Sequence, residues 1–251
     1  MIKAIAFTLL LLSQLPDYHP ELLPNPLEDI EIKAEINRSA EGYFIFSYEI
    51  YNPPKNNGRI WSIDIDVKKG EGESELNRGL ELGVRCHKYG TEDVIASETV
   101  VPVGMDSPPN WSCGVGTSKI AGWGAYDYPY HLLPGQSLSG FVITSYGLPG
   151  IRDIIVEPLI VDTVYPEVDE EEVKMEELIR LMKADREKVS FKGKTLGPTA
   201  PPADFKPLEF LNYIISMKHE ASTLGWITNK GIEMSLDAKL EAAKKKLEEY
   251  P

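Results

Sequence analysis

Four large aromatics and a histidine crowd into one short stretch, at Trp123, Tyr126, Tyr128, Tyr130 and His131, with Asp127 among them and a glycine on each side of the tryptophan. Aromatic faces stack on the apolar side of sugar rings, and a neighbouring carboxylate accepts hydrogen bonds from hydroxyls. Trp123, Tyr126, Asp127, Tyr128 and Tyr130 therefore form a candidate glycan-binding loop. Large aromatics also build cores, so the competing reading turns the same rings inward as a cap on the fold. Exposure of the loop separates the two.

Other groups capable of chemistry do not assemble into a motif. Asp64 and Asp66 share one face of a strand, but two carboxylates fall short of the roughly six to eight oxygens that calcium takes, and a solvated face explains them. Gly193-Lys194-Thr195 has the ending of a phosphate loop, yet its first glycine would fall at Lys188 and no strand pattern precedes it. Gly135-x-Ser137-x-Ser139 lacks the last glycine of a nucleophile elbow. His19, His87, His131 and His219 are scattered, without metal-ligand spacing. The expectation is a protein without catalysis, cofactor or metal. Cys86 and Cys113 are the only cysteines; bridged, they would close a loop that contributes about 3 kcal/mol through the unfolded state.

The elements that must position these residues follow from periodicity. Up to about residue 164 apolar side chains recur at every second position; beyond an acidic run at 167–172 they recur at three and four. Strands are expected at 30–37, 43–51, 59–67, 79–87, 94–103, 137–146 and 151–161, punctuated by Gly, Pro and Asn. Trp61 takes the same side as Ile63 and Ile65 and is expected in the core. Pro158 marks an edge or a bulge. Short strands at this spacing, with no helix between them, predict an antiparallel Ig-like β-sandwich over 28–165. A helix is expected over 166–190, a Pro/Gly linker over 191–206, and a helical tail over 207–251. In that tail Ile232, Leu236, Leu240, Ala243 and Leu247 form a stripe that needs a partner. Either the tail continues past the sequence given or this helix packs on the one before it.

Composition narrows the function. Residues 1–165 hold 12 Lys/Arg against 22 Asp/Glu and carry −10 of the chain's formal −13. A surface of that sign repels phosphate backbones and anionic lipid, which argues against nucleic acid and membrane surfaces as partners. Lys3 followed by the apolar stretch 4–12 has the form of a secretory signal, expected over 1–16, and no later run is long enough to span a bilayer.

The run Tyr51-Asn52-Pro53-Pro54, the strand Trp61-Ser62-Ile63-Asp64-Ile65, Gly122-Trp123-Gly124 and the stretch Leu133-Pro134-Gly135 through Phe141 together resemble exported bacterial cell-surface β-sandwich proteins of undefined function. The segment from Gly231 to Ala243 is similar to the first helix of the helical-hairpin modules appended to such proteins. The resemblance implies a fold and export, and no catalytic residues. The expected function is an exported, non-catalytic binding or adhesion protein of the cell surface, with a glycan or a surface protein as partner. The alternative is the accessory carbohydrate-binding module of a secreted hydrolase.

Overall fold

A computed structural model describes residues 18–67, 104–115, 120–165, 172–199 and 206–249. The signal segment at 1–16, the strands expected at 79–87 and 94–103, and Cys86 lie outside the described residues. Nine strands are described: β1 (Glu31–Arg38), β2 (Phe44–Tyr51), β3 (Ile60–Asp66), β4 (Gly104–Asp106), β5 (Ser112–Val115), β6 (Ile120–Gly124), β7 (Ser137–Ser145), β8 (Leu148–Pro158) and β9 (Phe191–Thr199). Three helices accompany them: α1 (Glu172–Val189), α2 (Pro207–Thr223) and α3 (Lys230–Glu249).

The strands form two antiparallel sheets, ordered β1-β2-β7-β4 and β5-β6-β3-β8-β9. Each contributes one apolar face to a common core of Phe46, Ile50, Ile63, Ile65, Met105, Trp111, Trp123, Phe141, Ile143, Ile154 and Val156. Trp111 and Trp123 both meet the edge of Phe141, at ring-centroid distances of 5.1 and 5.8 Å. Their indole N–H groups donate to the backbone carbonyls of Tyr130 and Asp106 respectively, which offsets the cost of enclosing them. The chain is thus mainly β, a sandwich with a helical tail. No helix among the described residues is long and apolar enough to cross a membrane.

Three sequence expectations change. The linker expected over 191–206 is, for residues 191–199, the edge strand β9, paired with β8 along its whole length from Val156↔Phe191 to Leu148↔Thr199. Its glycines and proline suggest a loop, but β8 supplies the pairing and an edge position tolerates Pro198. Across the sandwich the Tyr48 hydroxyl donates to the Leu196 carbonyl at 2.9 Å, tying β9 to the opposite sheet. Trp61, expected in the core, is only half-buried. The pairing of β3 with β8 shifts between Ile60 and Ser62, opposite Pro158, so Ile60 fills the inward position and the indole leaves it. Strands β5 and β6 escaped the periodicity because they are short and rich in glycine.

One side chain gathers the turns around that shift. Asn52 is fully buried; its Nδ2 donates to the carbonyls of Gly58 at 3.0 Å and Leu132 at 3.2 Å. Its Oδ1 accepts from Asn56 at 3.0 Å. Asn56 in turn exchanges two hydrogen bonds with the Glu28 backbone. Leu132 and Ile60 also exchange backbone hydrogen bonds at 2.9 Å, so the end of the aromatic loop and the start of β3 are held at one point.

The tail is a helical hairpin. Gly225, with φ +75°, takes the left-handed conformation that ends α2, and the Asn229 Oδ1 accepts the N–H groups of Gly231 and Ile232 to cap α3. The third helix packs on the second. The contact is polar: Lys218, with its side chain 7% exposed, lies 3.3 Å from Glu233 and 2.7 Å from Asp237. Ser222 also donates to Glu233. Apolar Ile232 and Met234 stay exposed.

Replacing Asn52 by Ala strands the Gly58 carbonyl and removes one partner from Leu132, so the urea midpoint should fall by the equivalent of about 2–3 kcal/mol. A loss below about 1 kcal/mol would show that the network holds nothing together. Replacing Lys218 by Ala leaves two carboxylates facing each other without a cation. Amide exchange across 230–249 should then accelerate, while β2 and β7 keep wild-type protection; unchanged exchange in α3 would contradict the role of the ion pair.

Candidate functional site

Because Trp123 points inward, its neighbours on β6 point outward, and both are glycine. In register, Asp64 on β3 faces Gly122, which faces Gly114 on β5; one step along, Ser62 faces Gly124, which faces Ser112. The outer surface of β5-β6-β3 is therefore a floor of backbone edged by two serines and a carboxyl group. A side chain at 122 would displace the Asp64 carboxyl: a Cβ there would lie 2.5 Å from its Oδ1. Half-buried Trp61 and exposed Tyr126 rise beside this floor and line the same open cavity of about 480 Å3.

The cavity does not end at those rings. Trp61 and Tyr126 also line a smaller one of about 210 Å3, with His131, Leu159, Tyr165, Met182 and Arg186. Met182 and Arg186 in turn border a third of about 530 Å3, between α1 and Ile155 and Glu157 of β8. The result is a groove across the outer sheet, roofed at one end by α1. That helix is held down by Leu181 and Val189, both buried, and by the Tyr18 hydroxyl, which donates to the Asp185 carboxylate at 3.0 Å. Arg186 lies over the Trp61 ring, 5.8 Å from its centroid.

The electrostatics are unusual for an acidic surface. Burial, then the negative charge of Glu157, pushes Asp64 up to about 7, against the pull of Arg186. Burial also raises Glu157, again opposed by Arg186. Both carboxyls are thus shifted toward the neutral form, in which each can donate a hydrogen bond as well as accept one. Burial lowers His131.

Of the residues expected to form the site, the structure brings only Tyr126 to the groove as a side chain. Trp123 is 2% exposed and cannot stack on a ligand; it belongs to the core, as the capping reading had it. Tyr128 and Tyr130 are exposed, at 58% and 41%, but Tyr128 is covered on one face by the Arg59 guanidinium, 3.7 Å from the ring centroid. Asp127 is exposed. Among the described residues no group of three or more His, Cys, Asp or Glu could hold a metal. Cys113 on β5 is in a disulfide.

Sequence reasoning missed Trp61, Asp64, Glu157, Tyr165 and Arg186. One signal was present: glycines flanking Trp123 at alternate positions mark a strand whose outer face is bare. Comparison of the chain with family models, with curated proteins and with solved structures finds no match.

The raised Asp64 gives a pH signature. Its folded value lies above the ordinary carboxyl value, so between about pH 4 and 7 the folded state holds a proton that the unfolded state has lost. That contribution is complete at low pH and disappears as pH rises through 7; Glu157 acts in the same direction. Asp64→Asn, which keeps the neutral shape, should flatten the fall in stability between pH 4 and 7. It should exceed wild type above pH 7 by on the order of 2 kcal/mol. Parallel urea titrations at pH 5 and pH 8 measure this; identical pH slopes in both proteins would exclude a buried, neutral Asp64.

Proposed function

We propose that this chain is an exported, non-catalytic binding protein of the cell surface, and that its outer-sheet groove holds a saccharide. The carrying observation is the glycine floor set between the Trp61 and Tyr126 rings with Asp64 at its edge. A bare backbone floor lets a flat ring lie close, indole and phenol faces cover its apolar side, and the Ser62, Ser112 and Asp64 side chains are of the kind that hydrogen-bond hydroxyls. The lysine and apolar run near the start supports export.

Binding without catalysis is favoured by the direction of the carboxyl shifts. Glycoside hydrolysis by paired carboxyls needs one held neutral as the acid and one ionised as base or nucleophile. Here burial raises Asp64 and Glu157 together, so the environment does not push the two apart as such a pair requires.

Isothermal titration of the full chain with β-1,4-linked neutral and acetylated oligosaccharides tests the reading. Trp61→Ala and Tyr126→Ala should each weaken binding about tenfold, whereas Tyr128→Ala, outside the groove, should bind as wild type. Absence of saccharide binding by the wild-type chain, or wild-type affinity in both groove variants, would overturn it.

A further inference from the structure

The arm of the groove between α1 and β8 encloses about 530 Å3, within the size range of pockets that hold whole small ligands. One row of the outer sheet runs into it from the glycine floor. In register, Gly122 on β6 faces Asp64 on β3, Asp64 faces Ile155 on β8, and Ile155 faces Lys192 on β9. From Gly122 to Lys192 the row crosses three strand spacings, roughly 14 Å, so a saccharide that covers both ends is a chain of several units. Ile155, Ile179 and Met182 supply the apolar walls of this arm, and Lys183, Arg186 and Lys192 supply cations. Those cations lack counter-charges. Lys194, the next outward lysine on β9, faces Asp153 and pairs with it at 2.9 Å. Lys192 faces Ile155 instead, and among the described residues neither it nor Lys183 nor Arg186 forms an ion pair. Two carboxyls also line the arm: Glu187 is exposed on α1, and burial shifts Glu157 toward its neutral form. In a chain with 39 acidic side chains against 26 basic ones, three cations gathered in this way make a local positive charge.

We propose that this arm holds the carboxylate of an acidic sugar, a uronate unit of a chain whose neighbouring ring lies on the glycine floor, an assignment that rests on the saccharide groove above. A carboxylate accepts two parallel N–H bonds from a guanidinium, the lysines add charge from α1 and from β9, and the C–H face of the ring has Ile155 and Met182 to lie against. Other occupants match less well. A neutral hydroxymethyl group gains no charge attraction from the three cations. An acyl chain covers the apolar walls but brings nothing for the lysines or for the polar edge of the floor. The net charge of −13 does not oppose the contact, because exposed charges more than about 8 Å away are largely screened at physiological salt, whereas these cations line the arm itself.

Calorimetric titration of the full chain with cellotetraose and with the β-1,4-linked tetramer of glucuronic acid compares ligands that differ only at C6, hydroxymethyl in one and carboxylate in the other. Exposed cations each contribute modestly, so the uronate should bind at least about fivefold tighter, and the preference should shrink as salt is raised. Lys183→Gln and Lys192→Gln combined should bring the two affinities within about twofold while cellotetraose binds as before, which also shows that the variant is folded. Lys194→Gln removes a charge outside the arm and should keep the wild-type preference. Equal binding of both tetramers by the wild-type chain, or tighter binding of the neutral one, overturns the carboxylate site and leaves the groove reading standing. A preference that survives the double replacement, or that Lys194→Gln abolishes just as fully, does the same. Binding of neither tetramer overturns both.

Discussion

The buried Asn52 amide is the constraint on which the outer groove depends. Its two N–H bonds to the carbonyls of Gly58 and Leu132 bring the turn before β3 against the end of the aromatic loop. That clamp sits beside the shift in pairing at Ile60 and Ser62, and the shift turns Trp61 out of the core and onto the surface. A sandwich with regular pairing here would bury an indole at this position and leave the glycine floor without a wall. An apolar residue at 52 would fill the space but leave the Gly58 carbonyl without its partner, which is why the fold keeps a polar group where a core residue is otherwise favoured.

The two faces of the five-stranded sheet divide the work. The inner face is a tight aromatic and aliphatic core in which Trp111, Trp123 and Phe141 interlock. The outer face carries glycines, serines and carboxyls, and it is only partly roofed by α1. Partial cover matters for the electrostatics. A fully exposed Asp64 would ionise like any surface carboxyl, and complete burial would exclude a ligand; half-burial beside Glu157 and Arg186 raises it without closing the groove.

The helical hairpin stands apart from this chemistry. Its helices meet through Lys218, Glu233 and Asp237, a contact that depends on charge geometry more than on area. The apolar stripe in the sequence foretold a packing face, and the structure covers only part of it: Leu240 and Leu247 are half-buried, while Ile232 and Ala243 remain exposed.

Strands with one wet face, β1, β2, β3 and β7, were legible because alternation is a local property of the chain, and the helices were legible for the same reason at their own period. So was the significance of Pro158, read as marking an edge or a bulge. Tyr126 could be read as a surface aromatic; Trp123, three residues away, could not be told from it, because burial depends on which side of a short, glycine-flanked strand faces the other sheet. Strand β9 reads as a loop until β8 is beside it. The sequence alone thus determined the class of fold and its acidity, which follow from composition and from patterns within a few residues. Tertiary structure decided the phase at Trp61, the meeting of Asp64 with Glu157 and Arg186, and the roof over the groove. The first two join residues about 90 to 120 positions apart, and no local preference of the backbone encodes such a meeting.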